Sequence, residues 1–124
     1  MMNAIAVPLL EAKVEAWKAW TLECMGPRRE EFDDFNERMG LTLHRAWLAQ
    51  SRQGPLAIVV FDGAGAESFL RKMATSQEPF DKWFRERVSE FHAIDFSNPD
   101  MLPPTEMFLD WQALRYAEIP GMSL

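Results

Sequence analysis

Two neighbouring residues in the middle of the chain, His44 and Arg45, are the side chains best suited to chemistry. A histidine titrates near neutral pH and serves as a general acid, a general base or a ligand. An arginine can hold a carboxylate or phosphate, or stabilise an anionic intermediate. Trp47 and Phe61 add the aromatic surface that lines many ligand pockets. The sequence therefore offers His44 and Arg45 as candidate catalytic residues, and His44, Trp47 and Phe61 as candidate ligand-binding residues.

Both charged or titratable candidates also have a plainer structural interpretation. His44 fits a core or interface histidine whose ring nitrogens are hydrogen-bonded, and this interpretation is the favoured one. For Arg45 we favour an ion pair with a glutamate of a second subunit over a bound anion, because an unpaired buried charge is costly. Whether the protein is an enzyme stays open at this point.

The remaining polar residues form no recognisable catalytic or metal-binding motif. His92 and Asp95 are close in the sequence, but a metal site needs at least three such ligands. His92 is instead typical of a helix C-terminus, where its ring interacts well with the helix dipole. The single cysteine, Cys24, lies on an apolar helical stripe and is expected to be inert packing. We therefore expect no metal and no cofactor.

Composition and charge argue against several classes of partner. The 124 residues include 13 basic and 19 acidic side chains, a formal net charge of -6. Nucleic-acid binders need a basic face, whereas Arg28 and Arg29 are followed at once by Glu30 and Glu31 and are expected to form a solvated face of ion pairs. The longest apolar run, Leu56–Phe61, is far shorter than the ~20 residues of a membrane span. With one cysteine and no signal peptide, we expect a cytoplasmic protein that binds neither nucleic acid nor membrane.

The spacing of apolar residues predicts one α+β domain over residues 1–113, followed by a tail over residues 114–124. The elements are a first strand, a kinked or broken helix, a β-hairpin, two helices and a last strand. Their predicted positions are residues 3–8, 10–40, 41–50 with 55–62, 66–76 with 80–91, and 107–111. This order matches a ferredoxin-like βαββαβ domain, with a four-stranded antiparallel sheet and helices on one face.

The hairpin sets the strongest constraint on the fold. Pairing Gln50 with Pro55 places His44 opposite Phe61 on one face of the ribbon. The other face then carries a mostly apolar set, namely Leu43, Arg45, Trp47, Ile58 and Val60. An antiparallel sheet with one face in water alternates apolar and polar residues, so two apolar faces need two covers. Helices of the same chain supply one cover, and we predict that a second copy supplies the other in a two-fold homodimer.

Three segments resemble a small bacterial family of uncharacterised proteins: Gly26–Phe32, Pro79–Arg85 and Phe108–Trp111. That family is assigned to the dimeric α/β-barrel superfamily, which also contains antibiotic-biosynthesis monooxygenases. The resemblance covers most of residues 5–111. It implies that two ferredoxin-like sheets pair as a barrel in a homodimer, and it implies no particular activity.

Two functions follow from these observations. The leading hypothesis is a dimeric barrel protein that binds a small apolar or aromatic molecule between its sheet and its helices. The competing hypothesis, which draws on the superfamily, is a cofactor-independent monooxygenase or isomerase acting on a small aromatic or enolisable substrate. In that enzyme His44 would be the base and Arg45 would stabilise an enolate or phenolate. A cavity containing both side chains would favour the enzyme.

Overall fold

Four α-helices and three β-strands make up residues 2–113, the part of the chain that the computed structural model describes. In chain order they are β1 (Asn3–Pro8), α1 (Val14–Met25), α2 (Arg29–Arg38), β2 (Leu43–Ser51), β3 (Gly54–Asp62), α3 (Phe69–Thr75) and α4 (Pro79–His92). None of these helices has the length and apolar character that crossing a membrane requires. The predicted α+β class is confirmed, and the predicted tail, residues 114–124, lies outside the described residues.

The three strands form one antiparallel sheet in the order β1-β3-β2. Gln50 lies opposite Pro55 and His44 lies opposite Phe61, so the register predicted for the hairpin is confirmed. All six residues of β1 pair along the other edge of β3. The central strand β3 therefore fixes which side chains of both neighbours share a face.

The helices pack on one face of the sheet, with α4 at the centre of the layer in contact with α1, α2 and α3. The buried apolar residues of α4 recur at steps of three and four, which directs one stripe toward the sheet. They are Phe80, Phe84, Val88 and Phe91. The sheet meets this stripe with buried residues of alternate positions, including Ile5, Val7, Ala57 and Phe61.

The opposite face of the sheet, here called the outer face, is also apolar. Its side chains are exposed or half-buried within residues 2–113, and they are Ala4, Ala6, Pro8, Leu43, Arg45, Trp47, Ala49, Ser51, Leu56, Ile58, Val60 and Asp62. The indole of Trp47 is the largest of them and is 51% exposed. Both faces of the hairpin are therefore apolar, as predicted, and the helices of the chain cover one of them.

The fourth strand predicted at residues 107–111 is not formed, and the sheet has three strands within the described residues. Residues 103–113 run without regular secondary structure. A strand gains stability from packing at least one face, but Phe108 and Trp111 here are 89% and 81% exposed. Pro103 and Pro104, just before the segment, also lack the N–H groups that would extend a ladder. The four-stranded ferredoxin-like sheet is thus not present in the described chain.

The apolar helical stripe predicted for residues 10–40 is interrupted at Gly26. Helix α1 ends at Met25, and α2 begins at Arg29. Arg28 fastens this break, since its Nε donates to Glu23 at 2.9 Å and its guanidinium lies 4.1 Å from the centroid of the Trp83 ring. Arg29 pairs with Asp33 one turn later at 2.9 Å. Both arginines are therefore engaged in the surface contacts that the sequence predicts for them.

The turn after β3 brings its backbone against the end of α2 and so fixes the start of β2. The N–H of Gly65 donates to the carbonyl oxygen of Gly40 at 2.9 Å. A Cβ atom at Gly65 would lie 1.9 Å from the carbonyl oxygen of Met39, so a side chain does not fit there. This backbone contact fixes where β2 begins, and His44 is the second residue of that strand.

A buried carboxylate ties α2 to the region between α3 and α4. Asp81 is fully buried, and both oxygens accept from the guanidinium of Arg38, at 2.7 and 2.8 Å. The hydroxyl of Ser76 donates to the same carboxylate at 2.6 Å. Burial alone would raise the pKa of Asp81, but the hydrogen bonds from Arg38 and Ser76 outweigh it and hold the pKa below its ordinary value.

We expect Asp81→Asn to lower the free energy of unfolding by about 3 kcal/mol at pH 7, because it removes the buried carboxylate that accepts from Arg38 and leaves that guanidinium with its exposed partner Asp34. Since the folded-state pKa of Asp81 is depressed, its contribution is present at neutral pH and is lost as the pH falls below the ordinary pKa of 3.8. Urea unfolding measures both effects. Asp33→Asn is the matched control, because an exposed pair contributes about 0–1 kcal/mol; equal losses in the two variants would contradict the assignment.

Candidate functional site

His44 lies in a cluster of aromatic rings on the covered face of the sheet. Its ring centroid is 5.1 Å from that of Phe61, 5.5 Å from those of Phe32 and Phe69, and 6.2 Å from that of Phe84. These rings exclude water, and burial lowers the pKa of His44 from 6.5 to about 4. The imidazole is therefore neutral at pH 7.

The hydrogen bonding of His44 defines which ring nitrogen is available. Its Nδ1–H donates to the side-chain oxygen of Asn36, at 2.9 Å. In a neutral imidazole with Nδ1 protonated, Nε2 carries a lone pair and is an acceptor only. No partner for Nε2 is found among residues 2–113. The ring thus offers one unused acceptor in an aromatic environment.

A cavity of about 60 Å³ lies beside His44, between the sheet and the helices. Its walls come from both layers and are mostly apolar; they include Ile5, Val7, Ala57, Val59, Phe69 and Met73. A water molecule needs about 10–15 Å³ of such volume, so the cavity has room for a few waters or for one molecule of a few heavy atoms. Phe61 also lines it, which places two of the three predicted ligand-binding residues together.

His92, the last residue of α4, contributes a second neutral imidazole to the cavity wall. Its Nδ1–H donates to the carbonyl oxygen of Pro8 at 2.8 Å, which leaves Nε2 as an acceptor. Burial lowers its pKa, and this outweighs the opposite effect of the bond to Pro8. The predicted position of His92 at a helix C-terminus is confirmed, although burial rather than the helix dipole governs its charge.

The metal site considered for His92 and Asp95 has no counterpart in the described chain. Asp95 is exposed, and its carboxylate accepts from the backbone N–H and the hydroxyl of Ser97. Within residues 2–113 no three side chains of metal-ligating type converge. Cys24 is buried, and burial raises the pKa of its thiol to about 12, so the thiolate that could bind a metal or react does not form at neutral pH.

Trp20 is a cavity residue that the sequence analysis missed. It lies on α1 three residues after Trp17, so both indoles face the cavity side of the helix. The Nε1–H of Trp20 is buried and has no hydrogen-bond acceptor within the described part of the chain. Its ring packs 4.9 Å from Phe84 and 5.5 Å from Phe91. The three-residue spacing of the two tryptophans was the one signal for this site in the sequence.

Arg45 and Trp47 do not belong to the cavity, because both lie on the outer face. Successive residues of a strand point to opposite faces of the sheet, so His44 and its neighbour Arg45 are separated by the sheet itself. Arg45 is exposed. The proposed pair of a histidine base and an arginine that stabilises an anion is therefore not assembled within one copy of the chain.

A surface groove of about 310 Å³ lies on the other side of His44 from the cavity. Charged and apolar residues of α2 and of the start of β2 line it, including Arg29, Asp33, Glu37 and Leu43. His44 is common to the linings of the groove and the cavity, and its partner Asn36 lines the groove. His44 therefore borders both the groove and the cavity.

The neutral burial of His44 predicts a specific pH dependence of stability. The unfolded chain takes up a proton near pH 6.5, whereas the folded ring takes it up near pH 4, so the free energy of unfolding falls as the pH is lowered across this interval. We expect His44 to account for about 3 kcal/mol of this loss. Urea unfolding of His44→Phe between pH 7 and 4 should show a correspondingly shallower decline. A midpoint near 6.5 for the His44 ring in an NMR titration would contradict the prediction.

Comparison with models of known protein families, with curated proteins and with solved structures finds no match for this chain. The resemblance to a dimeric α/β-barrel family accordingly stays a prediction.

Proposed function

We propose that this protein binds a small neutral molecule, mostly apolar and carrying one hydroxyl or N–H donor, in the cavity beside His44. The observation that carries the proposal is the unused Nε2 acceptor of a neutral imidazole in a mostly apolar wall, whose other polar groups are His92 and the Nε1–H of Trp20. A hydrogen bond to such an acceptor contributes about 0.5–1.5 kcal/mol net. A ligand that donates to Nε2 gains this free energy, and the aromatic walls bind its apolar part.

The cavity favours neutral ligands over charged ones. No acidic or basic side chain contributes to the part of its wall that the described residues form, and both of its histidines are neutral at pH 7. A charged ligand would lose its hydration without gaining an ion pair, which is strongly unfavourable. An uncharged donor such as a hydroxyl has no such cost.

The size of the cavity limits the ligand further. A cavity of about 150 Å³ in another protein accepts benzene or xenon, and the cavity here, about 60 Å³, is smaller. A molecule with about four heavy atoms fits without rearrangement. An aromatic ring, which the sequence analysis also considered, enters if side chains such as Leu70 move away from the cavity.

The competing enzyme function receives no specific support from the site. General bases work best when their pKa lies near the operating pH, and the pKa of His44 is about 4. The arginine assigned to stabilise an enolate or phenolate lies on the other face of the sheet. We therefore favour binding over catalysis for this cavity, and the cytoplasmic location stays a prediction.

We further propose that the protein is a homodimer in which the outer faces of two sheets meet, as in a dimeric α/β barrel of ferredoxin-like subunits. The outer face supports this, because it exposes Trp47 beside half-buried Ile58 and Val60. Contiguous exposed apolar surface of this kind is typical of protein–protein contacts. The resemblance noted from the sequence points to the same assembly.

The ligand proposal is tested with 2-propanol and acetone, which have the same number of heavy atoms but differ in having a hydroxyl donor. We expect 2-propanol to shift the ring resonances of His44 in a saturable NMR titration. Acetone should bind about 3- to 10-fold more weakly, the value of one hydrogen bond. Equal affinity of the two probes would contradict donation to Nε2.

Two variants control this titration. Ala57→Val adds two methyl groups to the fully buried cavity wall and should abolish saturable binding of both probes. His44→Phe retains an aromatic ring but removes the acceptor, so it should abolish the preference for 2-propanol. Binding that survives Ala57→Val unchanged would place the probe elsewhere.

The dimer proposal predicts a particle of twice the 14.3 kDa chain mass at micromolar concentration, measured by sedimentation velocity. Trp47→Glu should shift it to the monomer, because it places a carboxylate in the centre of the apolar contact. The matched control is Leu22→Glu on α1, which changes an exposed leucine (72% exposed) outside the outer face. If the wild-type protein sediments as a monomer at micromolar concentration, the dimer proposal is wrong.

A further inference from the structure

The segment over residues 103–113, here called the arm, exposes more apolar surface than any other part of the described chain. It has no regular secondary structure and carries four large hydrophobic side chains within five residues. They are Met107, Phe108, Leu109 and Trp111, with exposed fractions of 58%, 89%, 84% and 81%. Side chains of this size in water are strongly disfavoured, so the arm is built to contact another surface.

We propose that the arm of each copy lies across the outer face of a second copy, where Asp110 pairs with the partner's Arg45 and Phe108 packs on the partner's Trp47. This inference rests on the proposed homodimer and adds to it a reciprocal exchange of arms. It assigns a role to the two predicted site residues that the cavity does not use.

Charge complementarity selects the outer face as the surface that receives the arm. The outer face carries two charged side chains, Arg45 and Asp62. Arg45 is exposed and has no ion-pair partner within residues 2–113. Asp110 lies between Leu109 and Trp111 and is likewise unpaired in that part of the chain. The one cation of the outer face and the one anion among the exposed apolar side chains of the arm therefore match one another in sign and in surroundings.

The spacing of the two pairs also matches. Residues two apart in an extended chain lie on the same side, about 6.4–6.8 Å apart. Arg45 and Trp47 are related in this way on β2, and Phe108 and Asp110 are related in this way when the arm is extended. With the arm extended, the ion pair and the contact between aromatic rings can therefore form at the same time.

The start of the arm is anchored at the edge of its own sheet. The hydroxyl of Thr105 lies 2.7 Å from the carbonyl oxygen of Ala4 and 3.0 Å from the side-chain oxygen of Asn3, both on β1. From this anchor five extended residues span up to about 17 Å, and β2 is two strand spacings, about 9.6 Å, from β1. The arm is thus long enough to cover its own outer face, yet residues 103–113 are all exposed. We therefore assign it to the face of a second copy.

The area that the arms contribute is appropriate for a stable dimer. Phenylalanine and tryptophan side chains each bury about 150–250 Å², so the four rings of two arms bury about 600–1,000 Å². A typical stable interface buries about 1,600 Å² in total. The two arms together with the two outer faces reach this range, whereas the outer faces alone leave both arms in water.

Charge reversal tests the proposal on the full-length chain. Arg45→Glu and Asp110→Arg each create a repulsive contact in a homodimer, and both positions are exposed, so each variant should fold. We expect each to raise the dimer dissociation constant, measured by sedimentation velocity, by about 10- to 100-fold. Mixing the two variants should restore a dimer, because in the heterodimer each arm meets a face of opposite charge. Glu67→Arg, on the helical side, is the control and should leave the dissociation constant unchanged.

The outcomes separate the inference from the proposals on which it rests. If the wild-type protein is a monomer, both the homodimer and the arm exchange are wrong. If it is a dimer and both variants remain dimers of wild-type affinity, the homodimer stands and the arm exchange is wrong. If mixing fails to restore the dimer while the double variant Arg45→Glu/Asp110→Arg does so alone, the arm covers its own face instead.

Discussion

The sheet has two apolar faces and the chain has one layer of helices, and this imbalance underlies the architecture. The strands β2 and β3 carry apolar residues at consecutive positions. A change of register that exchanged the two faces of either strand would therefore still leave apolar side chains on the outer face. Helices α1 to α4 all lie on the same side, where α4 holds the others together. Free energy is gained by burying the covered face, while the outer face keeps Trp47 in water. The cavity belongs to the first face and the proposed assembly to the second.

On the covered face, the aromatic packing that stabilises the core also sets the chemistry of His44. Rings contributed by α2, β3, α3 and α4 surround the imidazole and keep water away from it, which lowers its pKa. A ring so hard to protonate is a poor general base. It remains a good hydrogen-bond acceptor, because Asn36 fixes the proton on Nδ1. The same burial thus weakens the argument for catalysis and strengthens the argument for binding an uncharged donor.

The sequence predicts the hairpin and its register because side-chain alternation has a period of two and the turn at Ser51–Gly54 is short. It predicts α4 for a similar reason, since its apolar stripe is strongly periodic. It does not predict which of two adjacent residues belongs to a cavity, unless the covered face is known. His44 is grouped with Arg45 and Trp47 by chemical type and by closeness in the sequence, although the predicted register already places those two residues on the other face, and Trp20 is overlooked.

The fourth strand fails for a different physical reason. Residues 107–111 have the composition of a strand, but a strand also needs a neighbour with free backbone groups and a surface to pack against. The first of these exists at β1, where Thr105 is anchored. The surface to pack against is lacking for a single chain, because its one layer of helices already packs on the covered face of the three strands. The sequence of residues 107–111 therefore has the propensity to form a strand, but the single chain does not form it, because the strand would need a partner surface.

The side chains of the outer face differ in size between its two edges, and this difference affects how two copies would pack. β1 presents the small side chains Ala4 and Ala6 there, opposite Val60 and Ile58 of β3, and the ring of Pro8 at its end. On the far edge, Trp47 of β2 stands above the surface. An arm of a second copy that packs Phe108 on Trp47 can place its other side chains in the space that the alanines leave free, which is how large and small residues interdigitate in well-packed layers. Bulky residues at positions 4 and 6 would remove that space without touching the cavity, so the two faces of the sheet can change independently of one another.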